Sequence, residues 1–229
     1  MQEPRQFVLD LPHRAAFAAE DFLVSASNAA AVALVDRWPD WPLASALVTG
    51  PRGAGKSHLA HVWRLRSGAD IVRADSINEA TIEGLKASRA LAIEDIDQGI
   101  AHEPVLFHLL NLAREHGFHL LLTSAKAAGE LDVSLPDLRS RLRALPMVGI
   151  EMPDEPLLKA VLVKLFSDRQ LMVEPHVIDY VALHIERSMA AAQDVVHEID
   201  RRALALHRKV TRVLATETLA YLRGDGGEP

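Results

Sequence analysis

Apolar positions along this chain fall into two rhythms, one up to about residue 152 and another beyond it. In the first stretch, short apolar runs alternate with amphipathic segments. Leu43-Ala44-Ser45-Ala46-Leu47-Val48-Thr49 reads as a buried strand, Ile71-Val72-Arg73 as a second, and Leu91-Ala92-Ile93 as a third that ends on Glu94-Asp95. His119–Thr123 reads as the next strand and Val148–Glu151 as the last. An alanine-rich helix runs from Asn28 toward Asp36, and another from Lys56 to about Arg66. Pro104 in a first turn and Gly117 just past a last one bracket a helix whose apolar face carries Val105, Leu106, Leu109, Leu110 and Ala113. Strands alternating with helices at this spacing predict a parallel, doubly wound α/β sheet.

The second rhythm is helical throughout. Asp154–Leu171, Pro175–Arg187, Ala190–Lys209 and a shorter Thr216–Leu222 have helical periodicity, and no strand candidate follows Glu151. The fold class expected is therefore α/β: a parallel-sheet domain over residues 20–152, followed by a small all-helical lid over 153–223. An arm over 1–19 precedes them, and the glycine-rich residues 224–229 read as a disordered tail. In the arm, Phe7, Leu9 and Leu11 alternate with Val8 and Asp10 between Pro4 and Pro12, which suits an extended segment. Side chains this apolar need a place of burial, either at the edge of the chain's own sheet or on a partner.

Composition narrows the class. With 229 residues, 49% hydrophobic and 24% charged, the chain suits one large globular domain or a larger one with a small companion. No apolar run reaches the roughly 18 residues of a membrane-spanning helix, and Met1-Gln2-Glu3-Pro4-Arg5 lacks the layout of a secretory signal. Cysteine is absent, which excludes disulfides and thiolate metal sites. The expected location is the cytoplasm. A net charge of −6 argues against a protein that mainly coats nucleic acid. Two basic clusters, Arg139/Arg141/Arg143 and Arg201/Arg202/Arg208/Lys209/Arg212, are either solvated helix faces or local patches able to touch DNA.

The chemistry is concentrated in Gly50-Pro51-Arg52-Gly53-Ala54-Gly55-Lys56-Ser57. This G-x-x-x-x-G-K-S spacing leaves a strand and opens a helix, the context of a P-loop for a purine nucleoside di- or triphosphate. Glycines let successive amides point at phosphate oxygens, and the helix N-terminus adds positive potential. Lys56 would reach the β- and γ-phosphates and the Ser57 hydroxyl a Mg2+ ion. Glu94 and Asp95, at the end of a neighbouring strand, would hold Mg2+ and orient the attacking water; in the alternative register Asp95 takes the metal. Thr123-Ser124 are polar groups where a γ-phosphate sensor would sit. An arginine of Leu138-Arg139-Ser140-Arg141-Leu142 can reach a neighbouring subunit's nucleotide or lie solvated. His58, His61, His102, His108, His116 and His119 share no face with metal-ligand spacing, so packing or surface placement is expected. Trp38 and Trp41, flanking Pro39 and Pro42, read as a packed cap.

Taken together, these motifs resemble the AAA+ ATPases, and within them the replication initiator DnaA and the shorter Hda group of DnaA inactivators. The resemblance rests on Phe22-Leu23-Val24-Ser25-Ala26-Ser27-Asn28, Gly55-Lys56-Ser57-His58-Leu59-Ala60-His61, Leu121-Leu122-Thr123-Ser124, Leu138-Arg139-Ser140-Arg141 and Ile150-Glu151-Met152-Pro153-Asp154, and covers about residues 20 to 210. It implies a nucleotide site built from Val24, Asn28, Pro51, Arg52, Gly53, Ala54, Gly55, Lys56, Ser57, His58 and the lid residue Gln193, with ADP or ATP and Mg2+ at Ser57 and Glu94. Asp95 and Arg141 would be the catalytic residues, Arg141 as an arginine finger offered in trans. The segment Gln6-Phe7-Val8-Leu9-Asp10-Leu11-Pro12 is similar to the peptide by which Hda proteins dock on the β sliding clamp of DNA polymerase III, through Gln6, Phe7, Leu9, Leu11 and Pro12. The sequence ends after the lid, where an initiator would continue into a DNA-binding domain. The resemblance therefore implies a negative regulator of replication initiation that holds a nucleotide, expected to be ADP. It would meet DNA through the clamp, have DnaA as partner, and form monomers or a homodimer.

The chain departs from that family where Ala125 replaces an Asp, Glu94 replaces an Asp and Gln193 stands where a sensor arginine is expected. These departures bear on its own ATP hydrolysis more than on nucleotide binding. Two other functions fit parts of the pattern: a self-assembling AAA+ ATPase that remodels a nucleoprotein complex, and a small-metabolite kinase. The lid follows the α/β domain rather than interrupting it, which disfavours the kinase.

Overall fold

The computed structural model describes residues 23–206 and 208–224, so the expected clamp peptide Gln6–Pro12 lies outside the described residues. The described chain divides into two compact units, 27–151 and 152–224 together with 23–26. In the first, among the described residues, strands β1 (Ser45–Thr49), β2 (Asp70–Arg73), β3 (Ala90–Glu94), β4 (His119–Ser124) and β5 (Met147–Gly149) form one sheet in the order β2-β3-β4-β1-β5. Every pairing is parallel, with Leu47 opposite Leu122 and Val72 opposite Ile93. The three central strands are buried along most of their length, as unbroken apolar runs in a doubly covered sheet should be, whereas the edge strands β2 and β5 are partly exposed.

Helices α1 (Ala29–Arg37), α2 (Lys56–Ser67), α3 (Glu79–Ser88), α4 (Glu103–His116) and α5 (Pro136–Arg143) flank this sheet. Leu106, Leu109, Leu110 and Ala113 of α4 join Leu91, Leu120 and Leu122 in the core, at the i, i+3, i+4, i+7 spacing of a helix face. Gly117 ends α4 in the left-handed conformation that lets the chain turn into β4. Two helices were not among the sequence expectations. α3 has one buried apolar side chain, Leu85, and is nucleated by a capping box between Asn78 and Thr81. α5 has eight residues with only Leu138 and Leu142 buried, too few to register as periodicity.

Trp41 stacks on Trp63 of α2 at 5.4 Å with the rings 20° apart, and Trp38 meets Trp63 edge-on. His119, at the start of β4, packs edge-on against both Trp38 and Trp41, with its Nε2 3.1 Å from the Pro39 carbonyl. The indoles are thus engaged with the fold rather than offered as stacking platforms.

The second unit is helical: α6 (Glu155–Asp168), α7 (Pro175–His184), α8 (Met189–Leu206) and α9 (Arg212–Leu222). Leu158, Leu162, Phe166, Val181, Val196 and Ile199 are among its buried side chains. α8 stops three residues short of the expected Lys209. α9 begins four residues earlier than expected because the Thr211 hydroxyl caps it by accepting the Leu214 N–H. No helix of the described residues is long and apolar enough to cross a membrane.

Candidate phosphate-binding site

The carboxyl ends of β1, β3 and β4 lie side by side, so the loop after β1, the Glu94-Asp95 pair and Thr123-Ser124 are brought to one edge of the sheet. Open parallel sheets bind ligands at this edge, because strand ends diverge there and helix N-termini point into the gap. The loop enters α2 through Gly55, whose φ of 107° lies in a region that side chains strongly disfavour, and Lys56 is the first residue of the helix. At the other end of the loop, the Gly50 N–H donates to the Ser124 carbonyl at 3.1 Å, pinning the loop's first residue to the end of β4.

Lys56 is buried, and its Nζ donates to the carbonyls of Gly50 and Pro51 at 2.7 and 2.9 Å. Burial pushes its pKa below the ordinary lysine value, Asp95, Asp97 and Glu94 oppose that shift, and Arg52 adds to it. Three acids therefore lie within electrostatic reach of this ammonium group. Glu94 Oε1 is buried without a hydrogen-bond partner. A bare carboxylate oxygen beside a phosphate loop fits a hard cation, so Glu94 and Ser57 could hold Mg2+, whose remaining ligands would come from phosphate and water. Among the described residues no three His, Asp or Glu side chains gather as an independent metal site.

Asp95 has φ 58°, unusual for a residue with a side chain. Its N–H donates to the Thr123 hydroxyl at 3.1 Å, and its Oδ2 accepts from Arg73 at 3.0 Å. The Thr123 hydroxyl is therefore already used in holding Asp95. Ser124 is likewise turned into its own loop, donating to the Lys126 carbonyl and accepting the Lys126 N–H. Asp97, in the 3-10 turn Ile96–Gln98, accepts the Ala125 N–H at 2.7 Å. Burial alone would raise its pKa, but hydrogen bonds from Ala125 and Gln98 and the charge of Lys56 outweigh it and hold the carboxyl below its usual range. Gln98 also accepts a hydrogen bond from Arg52. Asp97, Arg73 and Gln98 are not among the site residues expected from the sequence: none belongs to a spaced motif, and their partners Ala125, Asp95 and Arg52 are far from them along the chain.

The other expected residues are distributed as follows. Pro51, Arg52, Ser57 and His58 are exposed on the loop and first turn of α2, Gly53 is half-buried and Ala54 is buried. Asn28 is buried at the N-cap of α1. Val24 and Gln193 belong to the helical unit, Val24 half-buried and Gln193 exposed on α8. Arg141 is not at the phosphate edge of this chain. It lies on α5, donates to Asn111 of α4 at 2.9 Å and stands 6.0 Å from the Phe107 ring centre. It lines a cavity of about 240 Å³ with Leu43, Ser45, Leu110, Arg114 and Leu145. Ser45 opens β1 and the P-loop follows its other end, so about 13 Å of strand separates that cavity from the loop. Arg139 folds back on the Val133 carbonyl, while Arg201 and Arg202 both bind Glu198.

No protein-family model matches the chain. It is similar to the chromosomal replication initiator protein DnaA of Thermomicrobium roseum, 24% identical over 226 residues, covering 87% of this chain and 48% of that protein. The chain thus spans about half the length of that relative. In structure it is similar to domain III of Thermotoga maritima DnaA, with a TM-score of 0.73, 18% identity, and coverage of 91% of this chain and 95% of that one. It is also similar to an AMPPCP-bound DnaA from Aquifex aeolicus, with a TM-score of 0.66, 19% identity, and coverage of 80% and 65%. The fold is that of DnaA domain III, and the sequence is similar to part of DnaA.

Proposed function

We propose that this chain is a DnaA-related AAA+ protein that binds an adenine nucleotide with Mg2+ and acts as a negative regulator of replication initiation. The observation that carries the reading is the P-loop itself. Its lysine is buried at the edge of a DnaA domain III-like sheet, with Glu94 presenting a bare carboxylate oxygen beside it. The AMPPCP-bound state of a structural relative supports nucleotide as the ligand. In this reading the loop amides and Lys56 bind phosphates, and Ser57 and Glu94 hold the cation. Asp95, tied to Arg73, is poorly free to activate water, in keeping with slow turnover of the chain's own nucleotide.

The regulatory half of the proposal follows from Arg141 and the arm. Arg141 lies beside Ser45, at the opposite end of β1 from its own loop, so a phosphate it touches would belong to another molecule. DnaA bound to ATP is the partner proposed: Arg141 acts as an arginine finger and accelerates hydrolysis by about 10³–10⁵-fold. Gln6–Pro12 docks on the DNA-loaded β sliding clamp, in the manner of the Hda inactivators, and brings the two together. The test is phosphate release from ATP-bound DnaA with clamp on DNA, comparing the protein with Arg141→Ala. Acceleration by the intact protein and not by the variant is the expected result. If neither accelerates hydrolysis, the regulatory reading is overturned. ATP turnover by this chain alone that rises with its concentration would favour a self-assembling remodelling ATPase instead.

A further inference from the structure

Asp97 is an acid at the phosphate edge to which the proposed function gives no task. Its Oδ1 accepts the Ala125 N–H at 2.7 Å, and the preceding residue, Ser124, accepts the Gly50 N–H through its carbonyl at 3.1 Å. Two hydrogen bonds and one peptide unit therefore link this carboxylate to the first residue of the P-loop. Its other oxygen accepts from Gln98 Nε2 at 2.5 Å. Asp97 and Lys56 each stabilise the charged form of the other, so the carboxylate is within electrostatic reach of the ammonium that serves the phosphates.

The three acids around Lys56 are compensated differently. Asp95 has a cation of its own in Arg73 at 3.0 Å. Glu94 has a bare oxygen suited to a divalent cation. Asp97 is held by an amide and a carboxamide, dipoles that fix its position and keep it ionised without cancelling its charge. We infer that Asp97 sets the preference of this site for a nucleoside diphosphate over a triphosphate, by holding uncancelled negative charge where the terminal phosphate of a triphosphate would approach Lys56. The inference rests on the nucleotide-binding reading above. With one Mg2+ bound to each, the triphosphate brings one more negative charge than the diphosphate. It must also approach Lys56 against the charge of the Asp97 carboxylate, which lies within electrostatic reach of the same ammonium group. One like-charge contact of this kind in a half-buried site costs on the order of tenfold in affinity.

Calorimetric titration of the full chain with Mg-ADP and with Mg-AMPPCP tests this, alongside thermal denaturation of each variant. The intact protein is expected to bind the diphosphate more tightly. Asp97→Asn, whose carboxamide oxygen can still accept the Ala125 N–H, should narrow the gap by about tenfold, mainly by tightening Mg-AMPPCP. Asp97→Glu keeps the charge and should keep the preference. If the carboxamide variant does not fold, Asp97→Ser removes the charge while leaving an acceptor. An unchanged ratio in the neutral variants overturns the inference, as does an intact protein that prefers Mg-AMPPCP; both outcomes leave nucleotide binding standing. An intact protein that binds neither nucleotide overturns the proposed function and this inference with it.

Discussion

The substitution Gly50→Ala asks whether the P-loop's first glycine is there for the loop or for the sheet. A Cβ placed on Gly50 would lie 2.2 Å from the carbonyl oxygen of Ile150 and 3.1 Å from its carbon. Contacts of a real Cβ do not fall below 3.0 Å, so the two backbones must separate by roughly 0.8 Å, from 2.2 to at least 3.0 Å. Neither is free to do so. The Ile150 N–H donates to Thr49 at 2.7 Å, the Glu151 N–H to Ser27 at 2.9 Å and the Gly50 N–H to Ser124 at 3.1 Å. Retreat therefore breaks at least one of these hydrogen bonds, at about 1–3 kcal/mol, and the overpacking that is left costs about 1–3 kcal/mol more. The expected loss is about 2–6 kcal/mol, a large share of the roughly 5–15 kcal/mol that holds a domain together. Urea denaturation followed by tryptophan fluorescence measures it, because Trp41 and Trp63 stack in the same unit. Gly84→Ala is the control: a Cβ there meets nothing within 4 Å inside α3, and removing a helical glycine should stabilise by about 0.5–1 kcal/mol. A Gly50→Ala protein within about 1 kcal/mol of the parent would refute the reasoning, since the clash is with backbone and overpacking alone should cost about that much or more.

Two further expectations concern parts of the fold away from the loop. In the helical unit, hydrogen bonds from Arg201 and then Arg202 outweigh burial and hold the Glu198 carboxyl down to about 2 from an ordinary 4.5. The folded-state value is the lower one, so this stabilisation is fully present above about pH 4.5 and is lost as pH falls toward 2. Its full conversion would be about 3 kcal/mol, but Arg201 is 57% exposed and screened, so about 1–2 kcal/mol is expected. Glu198→Gln should lose that much at neutral pH and flatten the acid limb of the stability curve, as read by denaturation across pH. In the α/β unit, the Glu103 carboxylate accepts the N–H groups of Ser134 and Leu135 at 2.8 and 2.6 Å and so anchors the start of α5. Glu103→Ala should raise hydrogen exchange across α5 by an amount equivalent to about 1.5–3 kcal/mol, leaving α6 unchanged. Uniform exchange in both helices would show that α5 does not depend on this anchor.

The amino-acid sequence alone determined those features whose causes are local. Leu47-Val48, Leu91-Ala92-Ile93 and Leu120-Leu121-Leu122 form strands because such apolar runs must be covered on both faces, and α4 carries its start, face and stop in Pro104, Leu106-Leu109-Leu110 and Gly117. The loop spacing announced a phosphate site for the same reason: glycines, lysine and serine act within one turn of chain. α3 and α5 have no such local signature because their order comes from an Asn78 cap and a Glu103 anchor rather than from a long apolar face. What only the tertiary structure decided are the contacts between residues far apart in sequence. The strand order places Ile150 against Gly50; the turn after β3 carries Asp97 to Ala125; β2 delivers Arg73 to Asp95; and α4 holds Arg141 away from its own loop. None of these pairings has a local signature, since each exists only after the sheet has closed and brought strand ends together. Composition and spacing therefore say which chemistry the chain carries, while strand pairing says which charges meet.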